Sequence, residues 1–417
     1  MYNAIRPLLF KFDPEVVHKI TLNLIQWAGI LPPAHALLRA LFEVNDPRLQ
    51  VEAFGVKFRN PIGLAAGYDK DGVAVRGLSA LGFGHIEVGT VTRHKQIGNP
   101  KPRVQRVIES QGVINSMGFP NDGVDALKIQ RGAAKVGINI GKSKDTPIEQ
   151  AAEDYVELFR RVYRDADYVA INISSPNTLN LRQLQAREYI EGLLKEVTSV
   201  RDDLAHPERS VAQSKDERRV AQSKDERSVA QSKDERSVVQ SKDERSRAAA
   251  QSKDERNRAA AQSKDERNRA AAQSKDEQSA TSSKAARRVP VLVKIAPDLT
   301  EREVEDILGA IELAGADGVI ATNTTIGREG IPAQVQGLKG GLSGQPLRDR
   351  STAMVSCLYR KTGGKLPIIG VGGVMNPLDA LAKLEAGAAL VQVYTGLVYA
   401  GPSLVKHINQ ALLARAA

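Results

Sequence analysis

The chain has 417 residues, 41 % of them hydrophobic and 4 % aromatic, with 34 glycines. That composition suits either one large α/β barrel or two domains. A single cysteine, Cys357, excludes an internal disulfide framework and fits a reducing compartment.

No run approaches the roughly 18 apolar residues of a membrane-spanning helix, and no charged-then-apolar leader opens the chain, so export is not expected. The formal charge of +10 overstates how basic the body is. Residues 205–288 carry 21 Lys/Arg against 15 Asp/Glu, a net of +6, which leaves +4 for the other 333 residues.

In chain order, DPEVVHKITLNLIQWAG comes first and reads as a helix. Asp13 is its N-cap, Pro14 its first position, and Gly29 lies past its end. Val16, Val17, Ile20, Leu24 and Trp27 make one apolar stripe. PPAHALLRALF then starts a second short helix with Leu37, Leu38, Leu41 and Phe42 apolar. Two readings stand: the helices pack on the main body, or they form an amphipathic hairpin on a bilayer interface, with Arg6, Lys11, Lys19 and Arg39 toward anionic lipid.

Strand-like runs follow, each ending in a polar or glycine-rich turn: PIGLAAGYDKDG (61–72), HIEVGTVT (85–92), VGINIGKSK (136–144), YVAINISSPN (168–177), VPVLVKIAPD (289–298), GVIATNTT (318–325), PIIGVGG (367–373) and ALVQVYTG (389–396). Helical patterns lie at 146–163, 188–204, 301–314, 349–362 and 377–386. This alternation predicts an α/β fold, a parallel (β/α)8 TIM barrel, with its site at the C-terminal strand ends. An open doubly wound sheet is the alternative, but GLAAGYDKDG lacks the G-x-G-x-x-G spacing.

Residues 205–288 interrupt the alternation. QSKDE begins seven times, from Gln213 to Gln273, with almost no apolar face. The stretch reads as a low-complexity insertion, disordered or a solvated helix, placed in a surface loop where added length costs little closure entropy. Its balanced charge and lack of aromatics argue against a nucleic-acid partner.

The strand ends collect Lys70 and Lys294, the amides of Asn139, Asn172, Asn177 and Asn323, and the hydroxyls of Thr90, Ser175, Thr322 and Thr324. Glycine turns at GGLSG (340–344) and GVGG (370–373), followed by Tyr394-Thr395, are either tight βα turns alone or a backbone cradle for a phosphate. Neutral amides and hydroxyls suit a planar ligand with many acceptors, such as a flavin or a pyrimidine. No metal-ligand spacing and no cysteine cluster is present, and Cys357 reads as a packing residue.

GLAAGYDKDG, IEVGTVT, INSMGFPNDG, GINIGKSKDTP, AINISSPNT, VKIAPDLT, IATNTT, GGLSGQPL, IIGVGG and LVQVYTG, in this order, resemble class 2 dihydroorotate dehydrogenases, the membrane-associated, quinone-reducing type. The likeness runs the length of the chain outside 205–288. It implies an N-terminal hairpin (1–45) for membrane and quinone access, a barrel (46–204 and 289–417) and the insertion (205–288). It implies one FMN per subunit, dihydroorotate and orotate as substrate and product, a membrane quinone as acceptor, no nucleic acid, and a monomer. The expected location is peripheral, on the cytoplasmic side of a bacterial cell membrane.

By the same resemblance, Ala66, Gly67, Tyr68, Asp69, Lys70, Thr90, Asn139, Asn172, Lys294 and Thr322 contact the flavin, and Gly344, Gly373, Tyr394 and Thr395 surround its phosphate. Lys70, Asn115, Ser116, Met117, Gly118, Phe119, Asn172, Asn177, Asn323 and Thr324 hold the pyrimidine. Ser175 is the catalytic base, where class 1 relatives carry a cysteine. A hydroxyl that merely caps the Ser-Pro-Asn turn is the alternative for Ser175. With no activator beside it, a water or threonine relay is expected.

Replacing 205–288 by a short Gly/Ser linker should leave flavin content and turnover nearly unchanged. Loss of bound flavin on deletion would give the repeats a structural role.

Overall fold

The computed structural model describes residues 2–207 and 287–415. The chain divides into two compact units, Met1–Arg201 with Val289–Ala417, and Asp202–Arg288. The QSKDE repeats, expected to be disordered or a solvated helix, lie outside the described residues.

The large unit is a closed barrel of eight parallel strands: β3 (Ile62–Leu64), β4 (His85–Val91), β7 (Lys135–Ile140), β8 (Tyr168–Asn172), β9 (Val291–Ile295), β10 (Gly318–Ala321), β12 (Ile368–Val371) and β13 (Leu390–Val393), which pairs back onto β3. Every sequence-predicted strand run contains one of them, save that β7 begins one residue ahead of its run, at Lys135. Their largely apolar, β-branched character follows from burial on both faces, inside the barrel and beneath the helices. The helices α5 (Ala151–Val162), α6 (Arg187–Ala205), α7 (Glu301–Ala314), α8 (Arg348–Lys361) and α9 (Pro377–Glu385) match the five helical patterns to within a few residues. α10 (Thr395–Ala400) and α11 (Ser403–Arg415) follow β13.

Ahead of the barrel lie α1 (Tyr2–Leu9), α2 (Pro14–Ile30) and α3 (Pro32–Phe42). The Asp13 carboxylate caps α2, accepting from Glu15 N and Val16 N at 2.9 and 3.0 Å. Gly29 is not past the helix end as its sequence position suggested. It sits inside the last turn of α2, where a Cβ would come within 2.5 Å of Gly77 N on α4 (Val75–Ala80). The glycine is there for close helix approach, not for a left-handed turn. α1 was not foreseen, because Pro7 stands in a short apolar run.

Two small sheets went unread. β1 (Val51–Ala53) and β2 (Val56–Phe58) form a hairpin whose Phe54 and Phe58 pack edge-on to Tyr168 and His85, with centroids 5.7 and 5.5 Å apart. β5 (Val104–Val107), β6 (Gly112–Asn115) and β11 (Gly341–Gly344) make an antiparallel sheet. The sequence GGLSG, expected as a glycine turn, is therefore mostly a strand: Gly341–Gly344 pairs with β6 from Asn115 back to Gly112.

Strand periodicity assigns the barrel interior. Alternate residues share a face, so His85 and Glu87, Tyr168, Ala170 and Asn172, Leu292 and Lys294, and Leu390 and Gln392 all point inward. His85 is fully buried in the lowest layer and neither ring nitrogen has a hydrogen-bond partner among the described residues. Burial pushes its pKa from 6.5 down to about 4, against the attraction of Glu87.

Below pH 6.5 the unfolded chain takes up a proton that the folded chain refuses. The stability from this group is therefore complete above pH 6.5 and is lost as pH falls to about 4, by about 3 kcal/mol. His85→Leu, similar in volume and unable to titrate, should flatten that part of the stability–pH curve in urea unfolding at pH 4–7. An unchanged slope would show that other groups carry it.

Candidate active site

At the C-terminal strand ends a cavity of about 480 Å³ opens and continues between the N-terminal helices. Its deep end is built around a charge absent from the residues singled out in the sequence. Glu87, on β4, is completely buried. One carboxylate oxygen accepts from Lys294 Nζ at 3.0 Å and Asn139 Nδ2 at 2.8 Å; the other accepts from Gln392 Nε2 at 2.7 Å and the Tyr168 hydroxyl at 3.3 Å. Burial alone would raise its pKa, but the Lys294 cation and these hydrogen bonds outweigh it and hold the carboxyl below its ordinary value. A carboxylate in an otherwise apolar strand was the available signal, obscured because strand Glu usually faces solvent.

The neutral groups hang from this anchor. Asn139 Oδ1 accepts from Thr90 Oγ1 at 2.6 Å and from Asn172 Nδ2 at 3.1 Å, and Asn172 Nδ2 also donates to Thr90 Oγ1 at 2.9 Å. Asn172 Oδ1 in turn accepts from Ser174 Oγ at 3.1 Å, and Asn323 Nδ2 donates to Ser174 Oγ at 3.0 Å. On the opposite side Asn177 Nδ2 donates to Asn115 Oδ1 at 3.0 Å, joining the β8 turn to the end of β6. The amides are thus held in one orientation before any ligand arrives.

Lys70 donates to Gly67 O at 2.7 Å, and burial lowers its pKa to about 8 despite the pull of Asp71 and Glu15. Ser175 is buried, faces the cavity, and its Oγ accepts from the Asn177 N–H at 3.2 Å. Three residues on, the Thr178 hydroxyl is buried with no partner among the described residues.

The cavity lining brings together Ala66, Gly67, Tyr68, Lys70, Thr90, Asn115, Met117, Gly118, Phe119, Asn172, Ser175, Asn177, Lys294, Thr322, Asn323, Thr324, Gly344, Gly373, Tyr394 and Thr395. Three expected contacts lie outside it. Asp69 spends its carboxylate on Val73 N and Ala74 N at 3.0 and 2.8 Å. Ser116 donates its backbone N–H to Arg103 O, and Asn139 is a buried support. Arg182 was missed: its guanidinium reaches Ser174 O and Thr324 O at 3.0 Å each and Asp298 at 2.9 Å, tying together the turns after β8, β9 and β10.

A flavin fits these donors and acceptors. The lining carries two buried atoms with no partner among the described residues, Thr324 Oγ1 and Gln392 Oε1, together with two lysines and a wall of amides. In the turn after β12, Gly373 has φ of 71°, and a Cβ there would strike Arg348 Cα at 2.2 Å. Only glycine makes this turn, which leaves its backbone open to a ligand. Among the described residues no group of His, Cys, Asp and Glu could hold a metal.

Fold and site define a (β/α)8-barrel enzyme with a preorganised, mostly neutral ligand cavity at the strand ends. The Dihydroorotate dehydrogenase family model matches residues 48–415. Relatives called dihydroorotate dehydrogenase (quinone) include those of Christiangramia forsetii, 40 % identical with 99 % of each chain covered, and Stutzerimonas stutzeri, 40 % identical with 99 % of this chain and 98 % of that one. The crystal structure of DHODH from Eimeria tenella in complex with ferulenol is 32 % identical, with a TM-score of 0.72 over 98 % of this chain and 94 % of that one. The chain belongs to the dihydroorotate dehydrogenase family.

Removing one partner of a buried ion pair strands the other. Glu87→Met should therefore cost about 3–5 kcal/mol in chemical unfolding, and Glu87→Met/Lys294→Met should recover most of it. A single variant as stable as the parent would show that the pair is not the anchor.

Proposed function

We propose that the cavity holds FMN and dihydroorotate side by side and that Ser175 takes the substrate proton. The activity is oxidation of dihydroorotate to orotate, a step in pyrimidine biosynthesis, with a quinone as final electron acceptor. The family is flavin-dependent, and the bound flavin supplies the acceptor for the hydride leaving C6 of the substrate. The observation that carries the reading is the two-ended cavity: amides, Lys70 and Lys294 at one end, and apolar side chains from α1 to α3 at the other.

Asn115, Asn172, Asn177, Asn323 and Thr324 bind the pyrimidine edge, and their mutual hydrogen bonds fix its orientation. Met117, Gly118 and Phe119 cover it. Lys70 meets both substrate and flavin, while Ala66, Gly67, Tyr68, Thr90 and Thr322 line the ring. Lys294 places its cation where negative charge grows on reduction, an electrostatic contribution that needs no reorganisation. Gly344, Gly373, Tyr394 and Thr395 surround the phosphate. Ser175 accepts the proton from C5, and the Thr178 hydroxyl, three residues on and buried without a partner among the described residues, is assigned to pass it on.

The N-terminal residues form the quinone entrance and a peripheral membrane contact. Val16, Ile20, Leu24 and Trp27 on α2 are 51–63 % exposed, and Leu37 and Leu41 on α3 are 59 % and 50 % exposed. So large an apolar face beside the cavity mouth suits a lipid interface. Two of the expected lipid-facing cations are engaged elsewhere: Arg6 donates to Tyr399 O at 2.8 Å, and Arg39 pairs with Glu43 at 2.6 Å. Lys11 and Lys19 remain exposed. Among the described residues no helix is long and apolar enough to cross a membrane. We assign 1–45 to this entrance, 46–204 and 289–417 to the barrel and 205–288 to the insertion, and place a monomer on the cytoplasmic face of a bacterial membrane.

The purified protein should be yellow, and anaerobic dihydroorotate should bleach it without nicotinamide; a folded, colourless protein would end the FMN assignment. Ser175→Ala should retain FMN and bind orotate, yet its stopped-flow bleaching should slow by about 10²–10⁴, the usual worth of a general base. Re-oxidation by quinone should not change. Bleaching at the parent rate would leave Ser175 as a turn-capping hydroxyl.

A further inference from the structure

Behind the glycine turn lies a charged group that none of the roles above uses. Lys383, on α9, is completely buried. Its stem packs along β12, where a Cβ on Gly370 would meet Lys383 Cδ at 3.3 Å. Its Nζ donates to Ser351 Oγ at 2.6 Å and Thr352 Oγ1 at 3.1 Å, both on α8. Ser351 Oγ lies 2.9 Å from Gly372 O, so the ammonium is one hydroxyl away from the turn whose Gly372 and Gly373 line the cavity.

Among the described residues no carboxylate forms an ion pair with Lys383. A fully buried ammonium held only by hydroxyls is costly unless an anion lies nearby. The neighbouring acids are committed. Asp379, on its own helix, accepts from Met375 N and Asn376 N at 2.9 and 3.2 Å, and Arg348 lies 3.7 Å from it and 2.9 Å from Asp349. β12 and β13 bring no charge. On α11, Lys406 donates to Leu41 O, and neither it nor His407 contributes to the field at Lys383.

We propose that Lys383 is the buried counter-charge for the cofactor's phosphate, a positioning residue that acts through the Gly372–Gly373 turn. This rests on the FMN reading above. Burial lowers the Lys383 pKa to about 7, against the pull of Asp379 and then Asp349. With the site empty the side chain therefore loses its proton above pH 7, and phosphate binding must draw one back. Affinity for FMN falls as pH rises from 7 to 9, by up to about tenfold per pH unit for one linked proton. Riboflavin, which has no phosphate, shows no such limb. Lys70 also titrates in this range, but it faces the ring end, acts on both flavins alike and drops out of their ratio.

The test titrates the full-length protein, stripped of flavin, with FMN and with riboflavin at pH 6.5–9, following flavin fluorescence. In the parent the ratio of FMN to riboflavin affinity should fall above pH 7. Lys383→Met should lose about tenfold or more in FMN affinity at pH 6.5, keep riboflavin affinity within about twofold, and show a flat ratio across the range.

Equal losses for both flavins would mean a structural role and overturn the proposal. So would an unchanged FMN affinity, or a parent ratio that does not move with pH, a measurement that needs no variant. If the parent binds FMN and is bleached by dihydroorotate while the ratio stays flat, only this inference falls. If it binds neither flavin, the FMN reading falls with it.

Discussion

The buried ion pair between Glu87 and Lys294 is the constraint on which the rest of the site depends. A carboxylate inside a barrel is tolerable only when every lone-pair direction is met, because desolvation otherwise exceeds what one counter-charge returns. Here four donors meet it, from β7, β8, β9 and β13. They converge only when the strands close in the observed register. The same pair then holds Asn139, which holds Thr90 and Asn172, so the ligand-facing amides inherit their orientation from a charge the ligand never touches.

This arrangement leaves the deep end of the cavity polar yet nearly neutral. Glu87 offsets Lys294, and the free positive character rests with Lys70, whose ammonium is itself weakened by burial. Such a site can favour an anionic ligand and developing negative charge without trapping the product behind two full cations. The outer end is apolar by a different route. Gly29 and Gly77 allow α2 to approach α4 closely, and His18 then stacks edge-on against Tyr68 with centroids 4.8 Å apart. Tyr68 in turn meets Tyr394 at 5.8 Å. Aromatic contacts thus run from the N-terminal helices, through Tyr68, to Tyr394 at the end of β13.

Much of the architecture was readable in advance, because a parallel barrel buries each strand on both faces and ends it in a turn. The eight apolar, β-branched runs and their polar ends stand out for that reason, as do the capped helices between them. Among the proposed ligand contacts, the polar residues at strand ends and in the turns after them were visible too. Groups whose importance comes from a distant partner were not. Gln392 reads as an isolated amide in an apolar run, Arg182 as a surface arginine, and Lys383 as one more lysine on an amphipathic helix. Gly341–Gly344 reads as a turn until β6 is laid beside it.

By itself, then, the sequence determined the barrel, its strand and helix positions, the end at which ligands gather and the family, since each rests on local periodicity, turn chemistry or motif order. The tertiary structure alone decided which buried charges meet, that the Asp69 carboxylate caps a turn, that Gly29 serves a helix contact, and that a buried lysine held by two hydroxyls lies beneath the glycine turn. These depend on residues up to 305 positions apart, as for Gln392 and Glu87, becoming neighbours across a closed barrel. Nothing in the local pattern of either residue encodes the other's position; only closure of the strands in register does.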